Sequence, residues 1–313
     1  MSDDHSISLG GRGSLRRARL KVVAWAAAWL VAACFAVPLV WMAAVSVKPA
    51  DQAAAAGSAG LLPTLTDDSG AALRAWQPGY WGELLRVATA NYREVWNSPI
   101  ADFPLYLRNS LIVSFLSMVG MAISSSIAAY GFSRVKWPGR DALFVIVLLT
   151  MMVPGAVLIA PQYVLFKHLG WIGTFLPLWA PAWFGGAFSI FLLRQFYAAV
   201  PRELDEAAMI DGCSRFGVFT RILVPLSLPA LAVVVLMQFV ASWNDFLGPL
   251  VFLHRQEQFT LPLGLQMYQS QQGATPWNLV MAASTLTVVP VLVVYLFTRR
   301  LFIEGASTEG LKE

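Results

Sequence analysis

Long apolar runs alternate with polar connections along the chain. Six runs emerge, at about 22–47, 107–131, 141–161, 174–197, 226–249 and 277–301. Each approaches or exceeds the roughly 20 residues a helix needs to cross a hydrocarbon core. The pattern predicts an all-α membrane protein with six transmembrane helices. It divides the chain into an N-terminal tail (1–21), a first helix (22–47), a long connection (48–106), a five-helix core (107–301) and a C-terminal tail (302–313).

Several runs carry residues that ask for close packing or a bend. Gly120, Ser124 and Ala128 recur every four residues and form a small-residue packing face. Pro154 and Gly155 interrupt the third run, and Pro177, Pro181, Gly185 and Gly186 interrupt the fourth. Such breaks are tolerated where backbone lines a cavity or is shielded by protein, and each also fits a simple kink. In the 48–106 connection, the Ala- and Gly-rich stretch Ala53–Ala72 reads as mobile. Beyond it, Trp81, Leu84, Leu85, Ala88 and Tyr92 form a helical stripe. Asn91 followed by Glu94 reads as a capping pair. Trp76, Trp81 and Trp96 suit a surface near lipid headgroups, and the stripe also suits packing on the protein's own outer face.

The most informative polar connection is Val200–Pro225, VPRELDEAAMIDGCSRFGVFTRILVP. Arg202, Glu203, Asp205, Glu206, Asp211, Arg215 and Arg221 fall inside it, and each costs about 2.5–3.5 kcal/mol at a bilayer centre. The stretch therefore lies in water or against protein. Its grammar is two short helices meeting at a corner. Pro201 fits the first helical turn, and the acids Glu203, Asp205 and Glu206 favour that positive end. Leu204, Ala207 and Ala208 share a shallow face. Gly212 supplies the left-handed residue that ends the first helix. Ser214 caps the second, whose apolar side is Phe216, Phe219 and Leu223. By themselves these features equally fit an ordinary amphipathic connector.

Charge fixes the orientation. Arg12, Arg16, Arg17, Arg19 and Lys21 lie in the N-terminal tail, and Arg134, Lys136 and Arg140 join runs two and three. Arg194, Arg202, Arg215 and Arg221 flank or fill the polar loop, and Arg299, Arg300 and Lys312 follow run six. The short loops of the opposite side carry Lys167 and Arg255. The positive-inside rule places both termini and the polar loop in the cytoplasm.

Composition agrees: 57% of the 313 residues are hydrophobic and 13% charged, which excludes an ordinary soluble domain. The net charge of +4 is spread over span ends and makes no nucleic-acid patch. Cys34 and Cys213 give neither a disulfide framework nor a metal spacing, and His5, His168 and His254 stand far apart. Val31–Cys34 loosely imitates a lipoprotein cleavage site, but apolar sequence continues for about a dozen residues beyond it. None of the five lysines follows a glycine, so no phosphate-binding G-x-x-x-x-G-K-[ST] loop is present. No catalytic residue, cofactor site or metal site is expected.

Intramembrane polar groups are functional candidates. Gln238, Asn244 and Asp245 belong to run five. Asp245 lies about 20 residues from Pro225, roughly 30 Å along a straight helix. That places Asn244 and Asp245 at the outer interface as structural or gate-lining groups, and Gln238 deeper as a pathway candidate.

The spacing of Glu206, Ala207, Ala208, Gly212, Ile222 and Pro225 resembles the EAA loop of binding-protein-dependent ABC importer permeases, with Val224 where the family usually has Leu. AAYGFSRVKWPGRDALF (128–144), FSIFLLRQFYAAVPRELDEAA (188–208) and SWNDFLGPL (242–250) are similar to the carbohydrate branch of that family. The resemblance covers Asn91 to the C-terminus. It implies the type I importer permease fold in a bacterial inner membrane, and inward movement of a carbohydrate such as an oligosaccharide or polyol. It also implies a second permease subunit, a cytoplasmic ATPase dimer that binds the ATP and Mg, and an external solute-binding protein. Glu206, Ala207, Ala208, Asp211, Gly212, Ile222 and Pro225 would couple to the ATPase, and Glu309, Gly310 and Lys312 of the tail would touch it. A permease for a non-sugar solute and an ion-coupled secondary transporter are the alternatives. The latter needs paired intramembrane acids, which Asp245 alone does not supply.

Overall fold

The computed structural model describes residues 10–55, 60–66, 70–269 and 275–309. The chain forms two compact units: Met1–Tyr92 with Pro276–Thr285, and Arg93–Thr275 with Leu286–Glu313.

The first unit contains α1 (Gly10–Ser46), α2 (Ala50–Ala54), a hairpin of β1 (Leu65–Thr66) and β2 (Ala72–Leu73), and most of α3 (Pro78–Trp96). Helix α1 starts twelve residues before the apolar run and exposes nearly all its apolar surface from Leu20 to Val40. The described part of the 53–72 stretch is tied down rather than loose. The Gln52 side chain pairs with both backbone groups of Thr64, Lys48 Nζ donates to Gly60 O at 2.6 Å, and Leu65 pairs with Leu73. Asn91 does not cap a helix. It is buried within α3, where Nδ2 donates to Ser46 O and Lys48 O at 2.9 Å each and Oδ1 accepts from Asn278 Nδ2 at 3.0 Å. The inward face of α3 is Tyr80, Asn91 and Val95, with Leu84 half-buried, so Trp81 and Leu85 face outward. The apolar stripe was thus rotated by one residue from the face that packs, because Asn91 is drawn inward by three hydrogen bonds that hydrophobicity does not register.

The second unit is organised around α4 (Phe103–Ser133). Asp102 caps it by accepting from Leu105 N, and Pro104 fits its first turn. The chain continues through α5 (Arg140–Thr150), α6 (Gly155–His168), α7 (Leu176–Trp179), a 3₁₀ segment at Ala180–Phe184 and α8 (Ala187–Ala199). Next come α9 (Glu203–Ile210), α10 (Arg215–Val218), a π turn at Phe219–Leu223, α11 (Val224–Leu226) and α12 (Leu228–Trp243). Short helices α13 (Leu247–Phe252) and α14 (Leu261–Gly264) precede the long α15 (Trp277–Glu309). Helix α4 packs against α8, α12 and the 3₁₀ segment. Ala129, Leu193, Tyr197, Phe219, Leu223, Ala230 and Val234 form a core at one end of it.

Among the described residues four helical stretches are long and apolar enough to cross a membrane, or up to six where each of two bent pairs is one span. One bend coincides with an interrupted run, the third, and the other lies at the entry to run five, which was not marked as interrupted. Helices α5 and α6 meet at 101° across residues 151–154, just before Gly155. The fifth crossing bends by 77° at Ser227, and its helix ends at Trp243, so run five is not one straight helix to 249. Asp245 consequently lies in the turn before α13, and its height cannot be counted along a straight helix from Pro225. Helix α15 continues through Gly305 to Glu309, past the expected start of the tail at 302. Gly310 and Lys312 lie outside the described residues.

The small-residue face on α4 receives the broken fourth span. The Trp183 indole lies across Gly120, where a Cβ would overlap the ring, and Trp183 Nε1 donates to Leu116 O at 3.1 Å. Ser124 Oγ donates to Gly120 O and Ala182 O, and Ser117 Oγ to Leu178 O at 3.3 Å. The Ser117 and Ser124 hydroxyls thus bond the broken span to α4 through its carbonyls.

Candidate functional site

Two groups of candidate residues can be located. The first is the polar loop. Pro201 precedes the cap residue Arg202, so the first helix begins at Glu203 and Pro201 is not in its first turn. Glu206, Ala207 and Ala208 lie on α9, no residue of which is buried. Leu204, Met209 and Ile210 are exposed apolar side chains, Ile210 by 86%. Asp211 is the C-cap, and Gly212 has φ of +87° with open space around its missing side chain. Ser214 caps α10 by accepting from Gly217 N at 3.1 Å. Phe219 and Leu223 are buried as expected, whereas Phe216 is 71% exposed. A four-residue helix running into a π turn does not keep the 3.6-residue phase that would align all three. Ile222 and Pro225 belong to the π turn and α11, away from the α9 segment in sequence and leading into α12.

The loop is fastened to the end of α4 by residues that spacing did not single out. Arg134, the C-cap of α4, sits 3.3 Å from Asp205 and donates to Val200 O at 2.7 Å. Tyr130 donates to Arg215 O at 3.0 Å, and its ring lies 5.0 Å from that of Phe219. A cavity of about 250 Å³ lies beside these groups, lined by Tyr130, Arg134, Lys136, Asp205, Met209 and Arg215. Arg134 and Asp205 are 71 positions apart, and no local periodicity pairs them.

The second group lines a cavity of about 470 Å³ between α4, α6, the broken span four, α12 and α13. Gln238 and Asp245 are brought together there, joined by Gln162, which the sequence had not marked. Asp245 Oδ1 accepts from Gly248 N at 3.0 Å, which turns the chain into α13. Asn244 is placed apart. It ends α12, is exposed, and donates from Nδ2 to Val240 O of its own helix. Mostly apolar walls that carry the three polar side chains Gln162, Gln238 and Asp245 have the make-up of a small-molecule pocket. Among the described residues no group of His, Cys, Asp and Glu could hold a metal.

Residues 120–304 match the family described as binding-protein-dependent transport system inner membrane component. The chain belongs to that family. It is a multi-pass permease subunit, and the α9–α10 loop and the bent crossings lie within the matched region. The chain is 36% identical over 224 residues to the trehalose/maltose transport system permease protein MalG of Thermococcus litoralis, covering 71% of this chain and 80% of the relative. It is 34% identical over 222 residues to the arabinooligosaccharides transport system permease protein AraQ of Bacillus subtilis, covering 71% and 78%. Among solved structures, a chain of a bacterial ABC transporter involved in import of the acidic polysaccharide alginate superposes with a TM-score of 0.73. It covers 96% of this permease and 100% of that chain at 18% identity, a likeness of fold.

Gly212 gives a direct test of the loop. A β-branched side chain at positive φ costs at least about 1–2 kcal/mol, and here no clash adds to it. Gly212→Val should insert and assemble normally but tilt α9 away from its native path. ATP hydrolysis stimulated by the binding protein should fall by roughly tenfold or more. Wild-type stimulation in purified mutant complex would show that the corner does not matter.

Proposed function

We propose that this permease subunit imports a carbohydrate, an oligosaccharide or polyol, through a pathway completed by a second permease and driven by a separate ATPase dimer. The observation that carries this reading is α9: an eight-residue helix with no buried residue and exposed Leu204, Met209 and Ile210. A soluble face of this kind needs a protein partner. Glu206, Ala207, Ala208, Asp211 and Gly212 present it, with Ile222 and Pro225 at the far end of the same loop. The ATPase supplies ATP and Mg binding, and this chain supplies none. An external binding protein delivers the solute. Gln238 and Asp245 line the pathway, with Asn244 at its rim. Glu309, Gly310 and Lys312 extend the contact with the ATPase. The names of the relatives at 34–36% identity support a sugar as cargo.

The termini and the α9–α10 loop then face the cytoplasm, and the 48–106 segment faces outward. In a background with Cys34→Ser and Cys213→Ser, an impermeant maleimide added to intact cells should label Leu61→Cys and Ser69→Cys, the latter outside the described residues. It should spare Ser214→Cys. Labelling of Ser214→Cys from outside reverses the orientation. The function itself is tested by proteoliposomes holding the whole complex, offered radiolabelled maltose, trehalose and arabinotriose with internal or external ATP. ATP-dependent uptake of none of them, with uptake of a peptide or amino acid instead, would overturn the carbohydrate reading.

A further inference from the structure

Helix α9 has no buried residue, yet polar contacts tie it to the core of the second unit. Its ion pair with a membrane helix is made by Arg134, whose side chain is 5% exposed against 14% for Asp205. Among the described residues this is the one salt bridge between α9 and the rest of the unit. The same guanidinium holds Val200 O, the backbone group just before the corner into α9. One turn earlier on α4, Tyr130 holds Arg215 O at the start of α10. The end of α4 therefore grips the loop on both sides. Arg134 Nε and Asp205 Oδ1 are buried without a protein partner. A buried pair that is not fully satisfied is a poor source of stability, whereas it does fix direction and distance.

The other contacts of α4 carry this position further. Ser117 and Ser124 bond to Leu178 O and Ala182 O, and Leu178 and Ala182 line the cavity that holds Gln238 and Asp245. We propose that Arg134 is a positioning residue: with Asp205 and Tyr130 it locks α9 to α4, so that a displacement imposed on the exposed face of α9 reaches the Gln238–Asp245 cavity through α4. The inference rests on the reading of α9 as the ATPase contact. The lock itself does not, since it is a property of the unliganded fold.

The test uses the purified complete complex in lipid nanodiscs, with Cys34→Ser and Cys213→Ser. Spin labels at Glu203→Cys on α9 and Phe115→Cys on α4, both exposed, report the distance between the two helices. A narrow distance distribution is expected with native Arg134, and the same width after ATP-Mg is added. Arg134→Ala should broaden it, Asp205→Asn should do the same, and the double variant should be no broader than either. An unchanged width in Arg134→Ala overturns the lock, as do additive effects of the two substitutions. Transmission is read separately from the rate at which Gln238→Cys reacts with a maleimide. ATP-Mg should change that rate in the native background, and Arg134→Ala should reduce the change roughly tenfold while ATP hydrolysis continues. A residue that merely stabilised the fold would lower hydrolysis and the response together. A full maleimide response in Arg134→Ala overturns transmission through Arg134. Failure of any ATPase to co-purify overturns the reading of α9 instead, and the label distance still decides the lock.

Discussion

Gly120→Leu should abolish assembly of the complex, or lower its melting temperature far more than any other single glycine substitution on α4. The Trp183 indole occupies the space a side chain would need, and even a Cβ at position 120 would overlap it. The ring cannot withdraw freely, because Nε1 donates to Leu116 O and the 3₁₀ segment that carries it is bonded through Ala182 O to Ser124. Overpacking in a well-filled interior costs about 1–3 kcal/mol, and here it also displaces the indole seated on Gly120. Helix α4 would be pushed off the broken fourth span, leaving the carbonyls of residues 178 and 182 without their serine partners. Gly131 on the same helix is the control. Open space surrounds it, so Gly131→Ala should be neutral or slightly stabilising through helix propensity. Size-exclusion profiles and melting curves of detergent-purified complex would show the contrast. Adding Trp183→Ala to the Gly120→Leu chain should restore part of the loss. If Gly120→Leu melts like the parent, the α4 seam is not close-packed.

Trp243→Ala should be the most damaging truncation at the far end of α12. Trp243 is 1% exposed, the largest fully buried side chain, and its ring stacks on Phe239 with centroids 5.3 Å apart. Its Nε1 donates to Thr287 O at 3.2 Å, which links α12 to α15. Truncating a buried Trp in a soluble core costs about 3–5 kcal/mol. Within lipid the apolar transfer part shrinks, because a loosened helix remains out of water, and the lost packing and hydrogen bond remain. A loss of roughly 3 kcal/mol is therefore expected from the lower half of that range. Trp243→Phe keeps most of the volume and removes the hydrogen bond, so it should cost about 1 kcal/mol. Because residue 243 sits two positions before Asp245, the alanine variant should also impair transport where the phenylalanine variant does not. Equal melting temperatures for the two variants would mean that the ring volume contributes nothing.

The exposed apolar surface of α1 and of α9 has different meanings under this account. Helix α1 is apolar all round from about Leu20, as lipid requires, whereas α9 mixes Glu203, Asp205 and Glu206 with Leu204 and Ile210. The first suits hydrocarbon or another membrane helix. Glu203, Asp205 and Glu206 keep the second out of hydrocarbon.

Local sequence determined those features whose physics is local. Run length and hydrophobicity marked the several apolar helices, since a buried backbone in lipid must close its hydrogen bonds within a helix. Gly212 and Ser214 marked the corner of the polar loop, because a left-handed φ and a helix cap are each decided within a few residues. Pro154–Gly155 and the Pro/Gly residues of the fourth run marked the broken spans. Gly120 and Ser124 marked the close seam, but not its partner Trp183. Tertiary structure decided the rest. It drew Asn91 into the interior against Ser46, Lys48 and Asn278, turning the α3 face by one residue. It ended α12 at Trp243, which left Asp245 in a turn that lines one cavity with Gln238 and Gln162. It exposed Phe216 by inserting a π turn after a four-residue helix. It paired Arg134 with Asp205 across 71 positions. Such pairings depend on where helix ends arrive in space, and a one-dimensional pattern of apolar and polar residues carries no term for that distance.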